Sequence, residues 1–180
     1  MASLGDNINL SLDQAEALVF AALTSNKTSE SNARATARAL VAAQADGQKG
    51  HGLSRVPTYC GQSESGKVNG HATPTMEQVG SAALRIDADL GFAYPAMDLA
   101  ISGLSTLTRE SGIACASISR SHHFGQAGAH VERLAEQGLV ALLFGNSPKG
   151  MAFWGGKSAM MGTNPIAFSA PCRATSGARL

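Results

Sequence analysis

The chain has 180 residues, of which 44% are hydrophobic and 15% charged, with a formal net charge of +1. That length holds one domain with a real core, or one large and one small lobe. The balance is ordinary for a globular chain and excludes a disordered or strongly basic one. Only 5% of residues are aromatic and no run of Lys and Arg stands out, so no nucleic-acid partner is expected.

The start, Met1-Ala2-Ser3-Leu4-Gly5-Asp6, lacks a basic stretch followed by an apolar one. No window reaches about 18 apolar residues, so neither a signal peptide nor a membrane partner is expected. Cys60, Cys115 and Cys172 are odd in number and form no C-x-x-C. They read as free thiols in a reducing cytoplasm rather than a disulfide frame or a zinc site.

Ser11-Leu12-Asp13-Gln14 matches a capping box, and Ala15, Leu18, Val19, Ala22 and Leu23 follow at helical spacing. A second helix is predicted from near Ser29 to Ala45, with Ala33, Ala37, Leu40 and Val41 on one face and Asp46-Gly47 ending it. Gly61 to Gly80, rich in Gly, Ser, Thr and Pro, reads as an extended connector or loop pair. Ala83 to Asp87 reads as a short strand. Pro95 suits the first turn of a helix running towards Gly112. Ile113 to Ser119 is a predicted strand, Gln126 to Gln137 a helix stopped by Gly138, Leu139 to Phe144 a strand and Ile166-Ala167-Phe168 another. Strand, helix, strand in that order predicts an α/β layer arrangement.

Four segments carry chemistry. Gly50-His51-Gly52-Leu53-Ser54-Arg55 places an imidazole four residues before a guanidinium, between glycines that free the backbone. A histidine moves a proton near neutral pH, and an arginine fork holds a carboxylate. The pair suits a small acid gripped by its carboxylate while a proton moves nearby; a structural turn is the plainer alternative. Ser121-His122-His123-Phe124-Gly125-Gln126-Ala127-Gly128 joins a predicted strand to a predicted helix, either as an anion site at the helix start or as an ordinary turn. It is not a G-x-G-x-x-G fingerprint. Met151 to Gly156 is apolar and glycine-bordered, a ring pocket or a lid over the core. Gly162-Thr163-Asn164-Pro165 is a turn whose polar groups serve either a ligand or the backbone.

Other chemistries find little support. His122, His123 and His130 are not joined by a carboxylate at ligand spacing, so no metal site is expected, and His130 reads as a partly exposed helical residue. Ser147, in Gly145-Asn146-Ser147-Pro148-Lys149, lacks the second glycine of G-x-S-x-G.

These segments resemble the malate/L-lactate dehydrogenase family of the non-Rossmann type. The resemblance rests on His51-Gly52-Leu53-Ser54-Arg55-Val56-Pro57 with Tyr59, Ser65-Gly66-Lys67-Val68-Asn69-Gly70 and Gly91-Phe92-Ala93. It continues through Ser121-His122-His123-Phe124-Gly125, Gly155-Gly156 and Gly162-Thr163-Asn164-Pro165-Ile166-Ala167-Phe168. The Leu-Ser-Arg-Val-Pro and Ser-His-His-Phe-Gly details look most like the Δ1-piperideine-2-carboxylate/Δ1-pyrroline-2-carboxylate reductases. The resemblance implies hydride transfer between NADP(H) or NAD(H) and a small 2-oxo, 2-imino or 2-hydroxy acid, in a homodimer. It implies an α/β fold with an N-terminal helical, substrate-binding segment (1–80), a mixed-sheet cofactor domain of non-Rossmann topology (81–170) and an atypical tail (171–180). His51 would be the proton donor in reduction, and Arg55, with Tyr59, would hold the acid. His123, Phe124, Gly125, Gln126 and Ala127 would touch the cofactor, and Thr163 and Asn164 would line its pocket.

Two departures qualify it. Many relatives carry a serine before the histidine, where this chain has Gly50. Family members are also nearly twice as long, and the region after the Asn-Pro-Ile-Ala-Phe motif normally brings further cofactor contacts and an aspartate that pairs with the histidine. Pro171 to Leu180 has no period and does not resemble the family; it reads as a frayed terminus, a domain stopped midway or a frameshifted frame, which the DNA beyond codon 180 tests. A non-catalytic remnant with unpaired strand edges, or a small-acid binding module, is therefore the alternative to an enzyme.

Overall fold

In α1 (Leu12–Thr24) the capping box forms as the sequence predicts: Ser11 Oγ accepts from the Gln14 amide at 3.1 Å and Gln14 Oε1 accepts from the Ser11 amide at 2.9 Å. The computed structural model describes residues 8–172. Ala15, Val19 and Leu23, spaced by four, form the buried stripe of α1, which packs on α2 (Glu30–Ala45). Ser29 caps α2, and Ala33, Ala37, Leu40 and Val41 are buried there. Small alanines on the facing stripe let two short helices approach closely.

Two consecutive 3-10 turns follow, Lys49–His51 and Leu53–Arg55, leading into α3 (Val56–Glu64). Gly52 sits so close to α2 that a Cβ would lie 2.6 Å from Gln44 Oε1, and the same oxygen accepts from the Leu53 amide at 3.2 Å. The turn that carries His51 is thereby pinned to α2.

The stretch Gly61 to Gly80 departs from the expected extended connector. Its start completes α3, and its end is β1 (Thr75–Gly80). Composition pointed to loop because α3 buries small polar groups rather than an apolar stripe: Ser63 is buried, with its Oγ 3.0 Å from Thr28 Oγ1. Between the two elements the chain is tied to α2, where buried Asn32 donates to the carbonyls of Gly70 (3.0 Å) and Ala72 (2.9 Å).

β2 (Ala83–Asp87) is the middle strand of a three-stranded sheet ordered β1-β2-β3, with β3 at Cys115–Ser119. Leu84 and Ile86 are buried while Arg85 is exposed, the alternation of a strand with one covered face. α4 (Ala93–Ser111), with Pro95 in its first turn, and α5 (Ala127–Ala135) occur where predicted. β4 (Ala141–Phe144) and β5 (Ile166–Ser169) pair antiparallel, Leu142 opposite Phe168 and Phe144 opposite Ile166, and α5 packs on both. This mixed α/β architecture is the predicted class.

The chain forms two compact units. Within the described residues, the first comprises 8–76, Ile86–Ala96 and Ile118–Gly125; the second comprises Glu77–Arg85, Met97–Ser117 and 126–172. The core of the first gathers Leu23, Leu40, Val41, Tyr59, Val68, Phe92 and Tyr94. In the second, Arg133 pairs with Asp98 at 2.8 Å, and Arg109 donates to the Gln137 carbonyl at 2.8 Å. His130 is only 6% exposed, against its expected place at the surface, because α5 turns that face inward alongside Val131. Residues 173–180 of the segment expected to be an atypical tail lie outside the described residues.

Candidate active site

The 3-10 turns and α3 carry His51, Arg55 and Tyr59 from one short stretch of chain, and the segment after β3 brings His122 and His123 to them. All of these residues belong to the first compact unit. The His51 and His123 rings stack with centroids 5.2 Å apart and planes 11° apart. Tyr59 stands beneath them: its hydroxyl lies 2.7 Å from His123 Nδ1 and 3.3 Å from the Tyr94 hydroxyl, and the residue is 1% exposed. The ring of His122 meets Tyr59 edge-on at 5.0 Å and Phe92 at 5.8 Å.

Arg55 is held by its stem. Its Nε donates to the Gly50 carbonyl at 2.6 Å, while its terminal nitrogens have no partner among the described residues. Half of the fork is therefore anchored and the other half remains for an anion. Gly50 has open space around the position of a Cβ.

Charge and burial set the protonation of this group. Burial lowers His51 below its ordinary value, and the Arg55 guanidinium adds to the effect. His122 is held down to about 4 by burial, then by Lys67 and Arg55. His123 is likewise held to about 4 by burial, then by Arg55 and the two neighbouring histidines. Burial pushes the Tyr59 and Tyr94 hydroxyls upward, so both keep their protons. Three neutral imidazoles thus stand in the field of Arg55, with Lys67 adding to it at His122. The Nδ1 atoms of His51 and His122 are buried without a hydrogen-bond partner among the described residues.

The loop that presents His122 and Phe92 is firmly built. Arg120 bridges Asp87 (2.9 Å) and Asp89 (3.0 Å), and Asn69 donates to Asp89 at 3.0 Å. Gly125, at φ +71°, passes so near Tyr94 that a Cβ would come within 2.7 Å of its hydroxyl.

The remaining predicted residues lie in the second unit. Gln126 precedes α5 and Ala127 opens it. Thr163 and Asn164 form a turn around a residue the sequence reading set aside, Ser147. Ser147 Oγ accepts from the Thr163 amide at 2.8 Å, and Asn164 Oδ1 accepts from the Ser147 amide at 3.1 Å. Phe153 and Trp154 stand exposed, so the Met151–Gly156 segment is not a lid over the core.

Sequence reading also passed over Tyr94, Phe92 as a ring beneath the site, and Arg120. A usable signal existed for the first: the chain has two tyrosines, and both reach His123 or its hydroxyl partner.

Comparison with known proteins identifies the family. The malate/L-lactate dehydrogenase family model matches residues 10–178. A (2R)-3-sulfolactate dehydrogenase (NADP(+)) of Chromohalobacter salexigens is 49% identical over 166 residues, 92% of this chain and 50% of that protein. A Δ1-pyrroline-2-carboxylate/Δ1-piperideine-2-carboxylate reductase of Pseudomonas putida is 39% identical over 165 residues, 92% of this chain and 48% of that protein. Among solved structures, the Δ1-piperideine-2-carboxylate reductase of Pseudomonas syringae superposes with a TM-score of 0.81 at 39% identity, over 94% of this chain and 51% of that one. The malate dehydrogenase of Pyrococcus horikoshii gives 0.86 at 28% identity, over 93% and 48%. The chain spans about half the length of these relatives, and within that span it is a member of the malate/L-lactate dehydrogenase family.

Proposed function

We propose that this chain carries the acid-binding and proton-transfer residues of an NAD(P)-dependent oxidoreductase acting on a small 2-oxo, 2-imino or 2-hydroxy acid. The observation that carries the reading is the half-anchored Arg55 fork beside the stacked His51 and His123. Arg55 grips the carboxylate through its free terminal nitrogens. His51 delivers the proton to the oxygen or nitrogen on the adjacent carbon in reduction, and takes it back in oxidation.

Arg55 also links the two events. Burial first, and the Arg55 charge second, keep His51 neutral; an anion seated on Arg55 offsets that second contribution and so favours proton uptake by His51 as the acid binds. The unpartnered Nδ1 of His51 is suited to a carboxylate that would stabilise the resulting imidazolium.

The residues present suit a nicotinamide cofactor, because two planar imidazoles and an unpaired cation offer flat surface and positive charge. NAD(P)H supplies the hydride when bound. We assign His123, Phe124 and Gly125, with Gln126, Ala127 and the Ser147-braced Thr163–Asn164 turn, to holding it. On this reading residues 1–80 supply the acid-holding groups and 81–170 most of the cofactor contacts. Among the described residues no cysteine is in a disulfide, which supports a cytoplasmic setting. Exposed apolar strands in the second unit support self-association as a homodimer.

The test is oxidation of NADPH and NADH by the purified chain with Δ1-pyrroline-2-carboxylate, Δ1-piperideine-2-carboxylate, pyruvate and oxaloacetate, and reduction of NADP+ with sulfolactate. Turnover is expected to fall about 10²-fold or more in His51→Gln with acid affinity largely kept. Arg55→Lys is expected to raise KM by about tenfold or more. Turnover unchanged in His51→Gln refutes the proton-transfer role. Acid binding that needs Arg55, without turnover of any substrate, leaves a binding module.

A further inference from the structure

Both tyrosines of the chain stand beneath the histidine pair in one line, Tyr94 Oη to Tyr59 Oη at 3.3 Å and Tyr59 Oη to His123 Nδ1 at 2.7 Å. We propose that this line fixes His123 in the tautomer protonated at Nε2, making it a permanent hydrogen-bond donor, so that of the two stacked imidazoles only His51 exchanges its proton. Tyr59 is then a positioning residue that acts on a ligand through His123. The ligand's identity rests on the function proposed above; the tautomer does not.

Two proton arrangements satisfy the heavy atoms. In the first, Tyr94 donates to Tyr59, and Tyr59 donates to His123 Nδ1. In the second, His123 Nδ1–H donates to Tyr59, whose own proton goes to Tyr94. The distances choose between them. The second arrangement spends the Tyr59 proton on the 3.3 Å contact, which is long for an O–H donor, whereas the first places it in the 2.7 Å contact. Chemistry agrees, since a phenol is a stronger donor than a neutral imidazole N–H, and an imidazole nitrogen is a stronger acceptor than a phenol oxygen. Both tyrosines are buried and keep their protons, so neither serves as an anionic acceptor.

A neutral imidazole that accepts at Nδ1 carries its one proton at Nε2. That nitrogen makes no hydrogen bond to the protein among the described residues, so its proton is offered to an acceptor oxygen of a ligand. His51 has no such tie: its Nδ1 lacks a partner, and nothing in the described residues fixes which nitrogen holds the proton. The stacked pair therefore divides the work into one fixed donor and one proton carrier. Gly125 makes the arrangement possible, because a side chain there would strike the Tyr94 hydroxyl.

Long-range ¹H–¹⁵N spectra of the ¹⁵N-histidine-labelled, 180-residue chain read each imidazole's tautomer directly, with His123 assigned by its loss in His123→Gln. The expected result is the Nε2–H form for His123 from pH 8 down to about 5. In Tyr59→Phe the ratio of Nε2–H to Nδ1–H falls by roughly five- to tenfold, the bias one hydrogen bond supplies. Tyr94→Phe, which removes only the long contact, changes it far less. An Nδ1–H tautomer in the wild-type chain overturns the proposal even if Tyr59→Phe fails to fold, as does an unchanged ratio in folded Tyr59→Phe. NADP+ alone and acetate alone then distinguish cofactor from carboxylate as the acceptor, and an Nε2 resonance moved by neither overturns the donor role. Because the tautomer is read without ligand or turnover, a failed activity assay and a failed tautomer assignment are separate results.

Discussion

Burial, with Arg55 adding to it, sets the electrical state of the site. Burial and then Arg55 lower His51 and His123, Lys67 joins them at His122, and no carboxylate among the described residues raises the three again. This has a consequence for stability with a definite sign. An unfolded histidine takes a proton near pH 6.5, whereas folded His122 and His123 resist it until about 4. Between those values the unfolded state binds more protons, so stability is full above about pH 6.5 and falls as the pH drops towards 4. Thermal melts at pH 7.5, 6.0 and 5.0 are expected to show a declining Tm, with a shallower decline in His122→Gln and His123→Gln. A Tm that holds level to pH 5 would contradict the burial assigned to these rings. The His51-to-Arg55 spacing was legible in sequence because the two residues lie four apart on adjoining 3-10 turns. The hydroxyl line was not, since Tyr59, Tyr94 and His123 come from three distant parts of the chain.

Among the elements, the helices with strong punctuation were the readable ones. Ser11 and Gln14 announce α1, Ser29 starts α2, and Pro95 and Gly138 bracket the later helices. α3 escaped because Gly61 lies within it and its buried face is Tyr59 and Ser63 rather than an apolar stripe. Two glycines, one inside α3 and one after it, make opposite predictions. Gly70 is wedged against the Lys27 carbonyl and Ser63 Oγ, so a methyl group there must displace backbone. Gly70→Ala is expected to cost about 1–3 kcal/mol. Gly61, inside α3, has open space where a Cβ would sit, and Gly61→Ala is expected to gain about 0.5–1 kcal/mol through helix propensity. Urea unfolding of the two variants checks both signs; a destabilised Gly61→Ala would mean that α3 is not helical at that position.

For the molecule as a whole, the two units differ in how much apolar surface they cover. The first closes a core around Leu23, Leu40, Tyr59 and Phe92. In the second, α5 covers one side of the β4–β5 pair, and the cross-strand pairs Leu142–Phe168 and Phe144–Ile166 stay exposed on the other. Such a contiguous patch favours association. The purified chain is expected to bind ANS and to self-associate with rising concentration, and Leu142→Lys combined with Phe168→Lys to suppress both with unchanged circular dichroism. A chain that remains monomeric and ANS-silent at high concentration would show the patch to be covered in solution.

What the sequence determined by itself was local or carried by family-specific strings: the capped helices, the alternating strand, the α/β class, and the family through His51 to Pro57 and Ser121 to Gly125. Helix caps and periodicity act over a few residues, and His51 and Arg55 lie four apart on adjoining turns, so neither needs the rest of the fold. Only the tertiary structure decided that His51 stacks on His123, that Tyr59 is buried with its hydroxyl on His123, that Ser147 braces Thr163 and Asn164, and that His130 faces inward. Each of these depends on chain segments far apart in sequence meeting at a few ångströms, and on burial that shifts protonation. Neither spacing nor composition encodes those quantities; packing creates them.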